Sequence, residues 1–211
     1  MAKVTPLFQR PLPRSYFYGT LGIIALNLLV YLVNEISFET RGLLAMNPID
    51  VVTGGAWWQV FTYMYVHSDL NHILFNMLGL FFFGLAVEEQ MGSWEFLAFY
   101  HVTGVLAGLA SLGIYWLTGQ FGVYLLGASG AIFAVTLAFA AYRPHDRILL
   151  FFLLPIRARN AVILFAAMEV GFQIFSPYSG VAHLTHLAGF LFAFLYLLIR
   201  LRINAWTRFW S

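Results

Sequence analysis

Six long apolar runs constrain this sequence more than any other feature. An α-helix needs about 20 apolar residues to cross the roughly 30 Å of hydrocarbon in a bilayer, and each run is close to that length. Apolar side chains make up 61% of the 211 residues and charged side chains only 9%, a balance that is not typical of soluble domains. The sequence therefore predicts an all-α membrane protein, a bundle of six transmembrane helices, with spans at residues 17–33, 70–87, 96–117, 124–142, 160–175 and 181–199.

The basic residues indicate which way this bundle faces. Ten of the eleven Lys and Arg residues precede the first span, lie between spans 4 and 5 or follow the last span, whereas Arg41 lies in the long first loop. Loops rich in Lys and Arg stay on the cytoplasmic side of a membrane. We therefore expect a multi-pass protein of the cell membrane (inner or plasma membrane), with a cytoplasmic N-terminal segment 1–16, a six-span core at 17–200 and a cytoplasmic C-terminal tail 201–211.

Two connecting segments stand apart from the spans. The run 148–156 is too short to cross a bilayer and contains Pro155, so we expect an interfacial loop there. The loop 34–69 is long and contains Trp57 and Trp58, and tryptophan is enriched at membrane–water interfaces. We expect this first loop to lie partly in the outer leaflet.

Several kinds of chemistry are excluded by what the sequence lacks. Cysteine is absent, which rules out disulfides, thiol nucleophiles and cysteine metal sites. The HExxH motif of helical zinc proteases is also absent. Aspartyl protease chemistry needs two intramembrane aspartates, but Asp50, Asp69 and Asp146 all lie in predicted loops. The net charge of +2 gives no reason to expect a nucleic-acid partner.

Ser129 lies near the outer end of span 4 with Gly127 and Gly130 on either side. Small residues in a span allow close packing of helices, which is sufficient reason for such a cluster on its own. They also leave a serine hydroxyl and its amide open to a peptide carbonyl, as a nucleophile requires. This segment alone leaves both interpretations open.

Two pairs of polar residues lie at a similar depth. His183 and His186 share one face of span 6, and His72 and Asn76 share one face of span 2. Each pair alone is compatible with hydrogen bonds between helices. A histidine that reaches Ser129 could act as its general base, and an imidazole with an amide could stabilise an oxyanion. Spacing alone leaves open which histidine is the base.

Other polar residues carry weaker signals. Glu169 is the carboxylate that lies deepest in a predicted span, but nothing at a fixed spacing accompanies it, so no role is predicted for it. His67 and Asn71 lie at the edge of the first loop and are expected to be solvated. A metal ion bound by His72, His183 and His186 stays open as an alternative.

Three motifs in this order resemble the rhomboid family of intramembrane serine proteases: HILFN at 72–76, GASG at 127–130 and HLAG at 186–189. The segment GLAVEEQMG at 84–92 is also similar, and the resemblance covers about residues 15–200. It implies a six-span rhomboid-like bundle that contains a serine endopeptidase. Its substrates would be transmembrane segments of membrane proteins, and its active site would open to the extracytoplasmic side. No cofactor is implied, and the oligomeric state is not predicted.

The resemblance also implies a role for each site residue. Ser129 would be the nucleophile and His186 its general base, in a dyad without a third carboxylate. His72, Asn76 and the backbone amide of Ser129 would form the oxyanion hole. Four further residues would support this site through the motifs or through packing: Gly127, Gly130, His183 and Gly189.

Two alternative functions follow from the same residues. A catalytically inactive relative would bind transmembrane helices without cutting them, and loss of Ser129 or His186 would be its hallmark, yet both are present. A small transporter or channel would spread polar residues through the whole bilayer depth, whereas here they crowd near one surface. The protease is therefore the function that the sequence favours.

Overall fold

The computed structural model describes residues 6–9, 12–150, 153–176 and 181–211, and most of them are helical. A two-stranded antiparallel hairpin, β1 (Arg147–Leu150) with β2 (Leu154–Arg157), interrupts the helices. Short 3₁₀ turns lie at Leu7–Gln9 and Tyr63–Tyr65. The helices are α1 (Gly19–Ile36), α2 (Phe38–Leu44), α3 (Pro48–Val52), α4 (Gln59–Thr62), α5 (Leu70–Gly79), α6 (Leu85–Met91), α7 (Ser93–Leu117), α8 (Ser129–Tyr142), α9 (Ala158–Phe175), α10 (His183–Ile199) and α11 (Ala205–Trp210).

Within the described residues, four helices are long and apolar enough to cross a membrane, and they coincide with four of the six predicted spans. They are α1, α7, α9 and the continuous helix Leu70–Met91, in which a π-helical turn at Leu80–Gly84 joins α5 to α6. The chain is therefore a multi-pass membrane protein. The two other predicted spans correspond to α8 and α10, which have 14 and 17 residues. At 1.5 Å per residue they are only about 21 and 26 Å long.

Helix α8 lies in the middle of the bundle. Every residue from 130 to 141 except Phe133 is buried, because α6, α7, α9, α10 and α11 all contact this helix. The prediction that span 4 begins at residue 124 is wrong, because the backbone is not helical before Ser129. Leu125 instead pairs with Met46 of the first loop. The short central helix therefore begins inside the bundle, at what we name the Ser129 end.

Glycines set the distance between α8 and α10. A Cβ atom on Gly189 would collide with the backbone carbonyl oxygen of Gly130, so the two helices touch backbone to backbone. A Cβ atom on Gly130 would lie 3.0 Å from Cγ2 of Thr185, which is also on α10. Close packing and a role in the site are thus compatible here, because Gly130 directly follows Ser129 and Gly189 lies one turn after His186.

The first loop supports the segment that precedes Ser129. Asn47 caps α3 through its side-chain oxygen, and its Nδ2 donates to the carbonyls of Phe121 and Val123 at 2.9 and 3.1 Å. The backbone amide of Gly127 donates to the carbonyl of Tyr63 at 2.9 Å. These bonds fix the approach of the chain to α8. Trp57 and Trp58 are largely exposed, as contact with lipid would require, but their depth in a membrane stays a prediction.

The opposite end of the bundle is tied by two buried carboxylates. Glu88 of α6 accepts hydrogen bonds from the amides of Gly19 and Thr20 at 2.6 and 2.9 Å, and so caps α1. Glu95 of α7 pairs with Arg200, which follows α10, at 2.5 Å.

The run 148–156 forms most of the hairpin rather than an irregular loop, with Pro155 opposite Leu149. Residues 151 and 152 of that run lie outside the described residues, as do 1–5, 10 and 11 of the predicted N-terminal segment. The limits of the predicted segments 1–16, 17–200 and 201–211 stay predictions.

Candidate active site

Ser129 and His186 are in direct contact at the Ser129 end. Ser129 is the first residue of α8, and His186 lies in the first turn of α10. The hydroxyl Oγ of Ser129 lies 2.7 Å from Nε2 of His186. The ring of Phe133, one turn after Ser129, stacks on the imidazole with 4.3 Å between centroids and 6° between planes. Stacking on one face and the hydroxyl at Nε2 hold the imidazole in a single orientation.

His72 approaches the same place from α5. Its Nδ1 lies 3.0 Å from Oγ of Ser68, while Nε2 faces Gly127. A Cβ atom on Gly127 would lie 2.7 Å from Nε2 of His72 and 3.8 Å from Oγ of Ser129. Gly127 also has φ of 114°, which side-chain-bearing residues rarely adopt. Glycine is therefore needed at residue 127 for its backbone conformation and for the space that the His72 ring occupies.

Asn76 lies one turn after His72 on the same face. Its Nδ2 donates to the backbone carbonyl of His72 at 2.8 Å, so one amide hydrogen is used within the helix. An amide nitrogen carries two hydrogens, and the second can serve another acceptor. The side chain is buried but reaches the cavity described next.

A cavity of about 830 Å³ connects these groups. Its walls come from α5, the segment 120–126, the beginning of α8, α9 and the beginning of α10, and they include Ser129, His186, His72, Asn76 and His183. A volume of this size is typical of ligand sites and is sufficient for water and a short extended peptide. The residues predicted for the site from three distant segments thus line one space.

Glu169 is close to both histidines of α10. Its Oε2 lies 2.5 Å from Nδ1 of His183, and its Oε1 lies 3.0 Å from Nδ1 of His186. The Oε1 atom lies off the direction that an aligned hydrogen bond from His186 would take. Nothing at a fixed local spacing accompanies Glu169, as the sequence indicated, because its two partners lie on another helix. A carboxylate also lies beside the pair for which the resemblance implied none.

Among the described residues, Glu169, His183 and His186 form a group that could hold one metal ion, because their ligand atoms lie within 4.8 Å of one another. His72 is not part of this group, so the alternative metal set suggested by the sequence does not form. The short His183–Glu169 contact uses the same atoms that a metal ion would need. Hydrogen bonding within the group therefore accounts for its geometry.

His67 is buried, and the expectation that it is solvated is wrong. Neither of its ring nitrogens has an aligned hydrogen-bond partner among the described residues, and its ring packs edge-on against His72 at 4.9 Å. Burial and the neighbouring His72 lower the pKa of His67 to about 4, so the ring is neutral at pH 7. A position at the end of a loop gave no signal of this burial. Asn71 is exposed, as expected.

Comparison with known proteins gives one consistent result. A model of the family described as the Rhomboid domain matches residues 54–203. The chain is 33% identical to Rhomboid-like protein 11, chloroplastic, of Arabidopsis thaliana, and the match covers 58% of this chain and 41% of that protein. It is 32% identical to Rhomboid protease GluP of Bacillus subtilis, with 81% and 33% covered. It is 30% identical to the human Presenilin-associated rhomboid-like protein, mitochondrial, with 83% and 46% covered. These matches span less than half the length of each relative.

Proposed function

The chain belongs to the rhomboid family, which includes intramembrane serine proteases, and from this premise we propose that it is a serine endopeptidase that cuts transmembrane segments of other membrane proteins. The observation that carries this proposal is the 2.7 Å contact between Oγ of Ser129 and Nε2 of His186 inside a cavity of about 830 Å³. A serine hydroxyl in contact with an imidazole nitrogen that can accept its proton is the arrangement that activates the hydroxyl as a nucleophile.

The reaction begins with a proton transfer from Ser129 to His186. Nε2 takes the hydroxyl proton while Oγ forms a bond to the scissile carbonyl carbon. The imidazolium then returns this proton to the leaving amine as the peptide C–N bond breaks. Water enters the cavity and, with His186 again as base, hydrolyses the acyl-enzyme. The substrate helix must unwind locally first, because a helical peptide bond shields its carbonyl.

The oxyanion of the tetrahedral intermediate needs donors at the beginning of α8. The backbone amide of Ser129 is one of the first amides of that helix, which have no intrahelical partner and lie at the positive end of the helix dipole. Nε2 of His72 and Nδ2 of Asn76 would supply two more hydrogens. Nε2 carries the hydrogen of the neutral ring when Nδ1 accepts from the backbone amide of Ser68, which lies 3.5 Å away. Each such donor is worth roughly 3–4 kcal/mol of transition-state stabilisation.

The proposal includes six spans, with α8 and α10 as the two short ones. A central helix that other helices surround does not need to reach both surfaces, and its start at Ser129, inside the bundle, leaves room for water above Ser129. The described arginines support an extracytoplasmic opening of the cavity. Arg41 contacts the backbone of Ser68 at the Ser129 end. The other described arginines precede α1 (Arg14), lie in or beside the hairpin, or follow α10, at the opposite end, which would be cytoplasmic.

The experiment is cleavage of a single-span model substrate by the purified chain in liposomes. Wild type should cut the substrate, and Ser129→Ala should not. Ser111→Ala is a matched control, because it removes another buried hydroxyl, one that contacts Thr185 at 2.6 Å. This control should retain cleavage. Equal cleavage by wild type and Ser129→Ala, or binding of substrate without cleavage by wild type, would contradict the proposal.

A further inference from the structure

We propose that Glu169 is a positioning residue for the histidine base, and that His183 in turn holds Glu169. This inference rests on the proposed function. It replaces the simple dyad by a connected set of four side chains from α8, α9 and α10. Their contacts run from Ser129 to His186 at 2.7 Å, from His186 to Glu169 at 3.0 Å and from Glu169 to His183 at 2.5 Å.

The first argument is the tautomer of His186. Nε2 can accept the proton of Ser129 only if it carries none itself, so the single ring proton must lie on Nδ1. Nδ1 is the nitrogen that faces Oε1 of Glu169 at 3.0 Å. A carboxylate at this position favours a proton on Nδ1 and stabilises the positive charge that His186 gains during the reaction.

The second argument is how firmly the carboxylate is held. His183 contacts the other oxygen of Glu169 through its own Nδ1, and the ring of Phe172 stacks on His183 at 5.4 Å. His183 and His186 are one helical turn apart, so both Nδ1 atoms face the same carboxylate. The contact of Oε2 with His183 orients the carboxylate so that Oε1 faces His186. The imperfect alignment of Oε1 is of a kind that tightens when substrate binds.

The third argument is cost. Glu169 is 9% exposed, in a helix whose composition fits a membrane span. A carboxylate in such a place is expensive unless it is paired. A tie between α9 and α10 alone would require contact with one histidine, and His183 supplies that contact. The approach of the second oxygen to the base itself is what a positioning role predicts.

The test compares kinetics of variants in liposomes, with substrate expressed as mole fraction in the lipid. Glu169→Gln keeps the shape but loses the charge, and we expect kcat to fall about 10- to 100-fold, the range typical of residues that orient a metal-bound histidine. KM should change by less than about twofold, because Glu169 is not proposed to bind substrate. Glu169→Asp keeps the charge and should restore kcat above the value of the Gln variant.

The matched control is Glu95→Gln. It makes the same chemical change at another buried carboxylate, whose partner Arg200 follows the far end of α10. This variant should lower the melting temperature and leave kcat within about twofold of wild type.

Ser129→Ala separates the proposed protease function from the proposed role of Glu169. If that variant still cuts, the proposed function fails, whereas loss of cleavage there with full activity of Glu169→Gln overturns only the role of Glu169.

Other outcomes would also overturn the inference. A fall in kcat for Glu95→Gln as large as for Glu169→Gln would mean that general loosening is responsible. Inactivation of wild type by a chelator, reversed by Zn²⁺, would mean that Glu169, His183 and His186 hold a metal ion instead. If Glu169→Gln does not fold, His183→Asn takes its place, with an expected fall in kcat of about tenfold at constant KM, and an unchanged kcat would overturn the inference.

Discussion

Gly127→Ala tests whether the space between Ser129 and His72 matters. The new Cβ would lie 2.7 Å from Nε2 of His72, whereas ordinary contacts begin at 3.4 Å, so the ring must retreat by about 0.7 Å. Alanine at φ of 114° adds strain of about 1–3 kcal/mol. A misplacement near 1 Å at a reacting centre can cost about 100-fold in rate. We therefore expect kcat/KM to fall at least about 30-fold, together with a lower melting temperature.

The assay is cleavage of a single-span substrate in liposomes, with thermal unfolding measured on the same preparations. Gly113→Ala is the control, because nothing lies within 4 Å of a Cβ atom at that helical position. Alanine there should stabilise the helix by about 0.5–1 kcal/mol and leave cleavage unchanged. Normal kcat/KM for Gly127→Ala would refute the reasoning, since the His72 ring could not then be where catalysis needs it.

Three further predictions concern packing and pH. Gly189→Ala should force α8 and α10 apart, because its Cβ would collide with the carbonyl of Gly130, and it should lower the free energy of unfolding by about 1–3 kcal/mol and remove most of the activity. Gly171→Ala, which has open space around it, should change neither stability nor activity, and equal behaviour of the two variants would contradict the close contact. Glu88→Gln should lower the free energy of unfolding by about 1–3 kcal/mol, measured by thermal unfolding, because the buried amides of Gly19 and Thr20 lose a carboxylate acceptor. Glu89→Gln removes only an exposed ion pair with Arg143 and should change the free energy of unfolding by less than about 1 kcal/mol. The pKa of His67 in the folded protein is about 4, below the ordinary 6.5, so protonation favours the unfolded chain as the pH falls from about 6.5 to about 4. In His67→Asn the melting temperature should therefore fall less over that pH range than in wild type. An identical pH dependence in both proteins would show that His67 does not contribute.

Much of this arrangement was predictable from the sequence, because the motifs are local and the spans are long. The i, i+3 and i, i+4 spacings placed His186 and Asn76 on definite faces, and the four longest helices coincide with predicted spans. The start of α8 was not predictable from hydropathy, because residues 124–128 are as apolar as the helix that follows them. Leu125 pairs with Met46 of the first loop instead, and Gly127 donates to the carbonyl of Tyr63.

The wrong expectation for His67 and the unpredicted partners of Glu169 have a common physical cause. His67 and Glu169 take their environment from residues that are remote in sequence, so no spacing rule reports their burial or their partners. Glu169 reaches His183 across 14 residues and a change of helix. Hydropathy registered only that a carboxylate lay in an apolar segment, which is a reason to look for a partner rather than a way to identify it.

Covalent labelling with a fluorophosphonate, located by mass spectrometry of the modified peptide, tests the central claim most directly. The account predicts one adduct on the hydroxyl of Ser129 in wild type, none in Ser129→Ala, and labelling of His186→Ala that is slower by about 10²- to 10⁴-fold. An adduct on another residue, or labelling of His186→Ala as fast as wild type, would contradict the claim that this imidazole activates this serine.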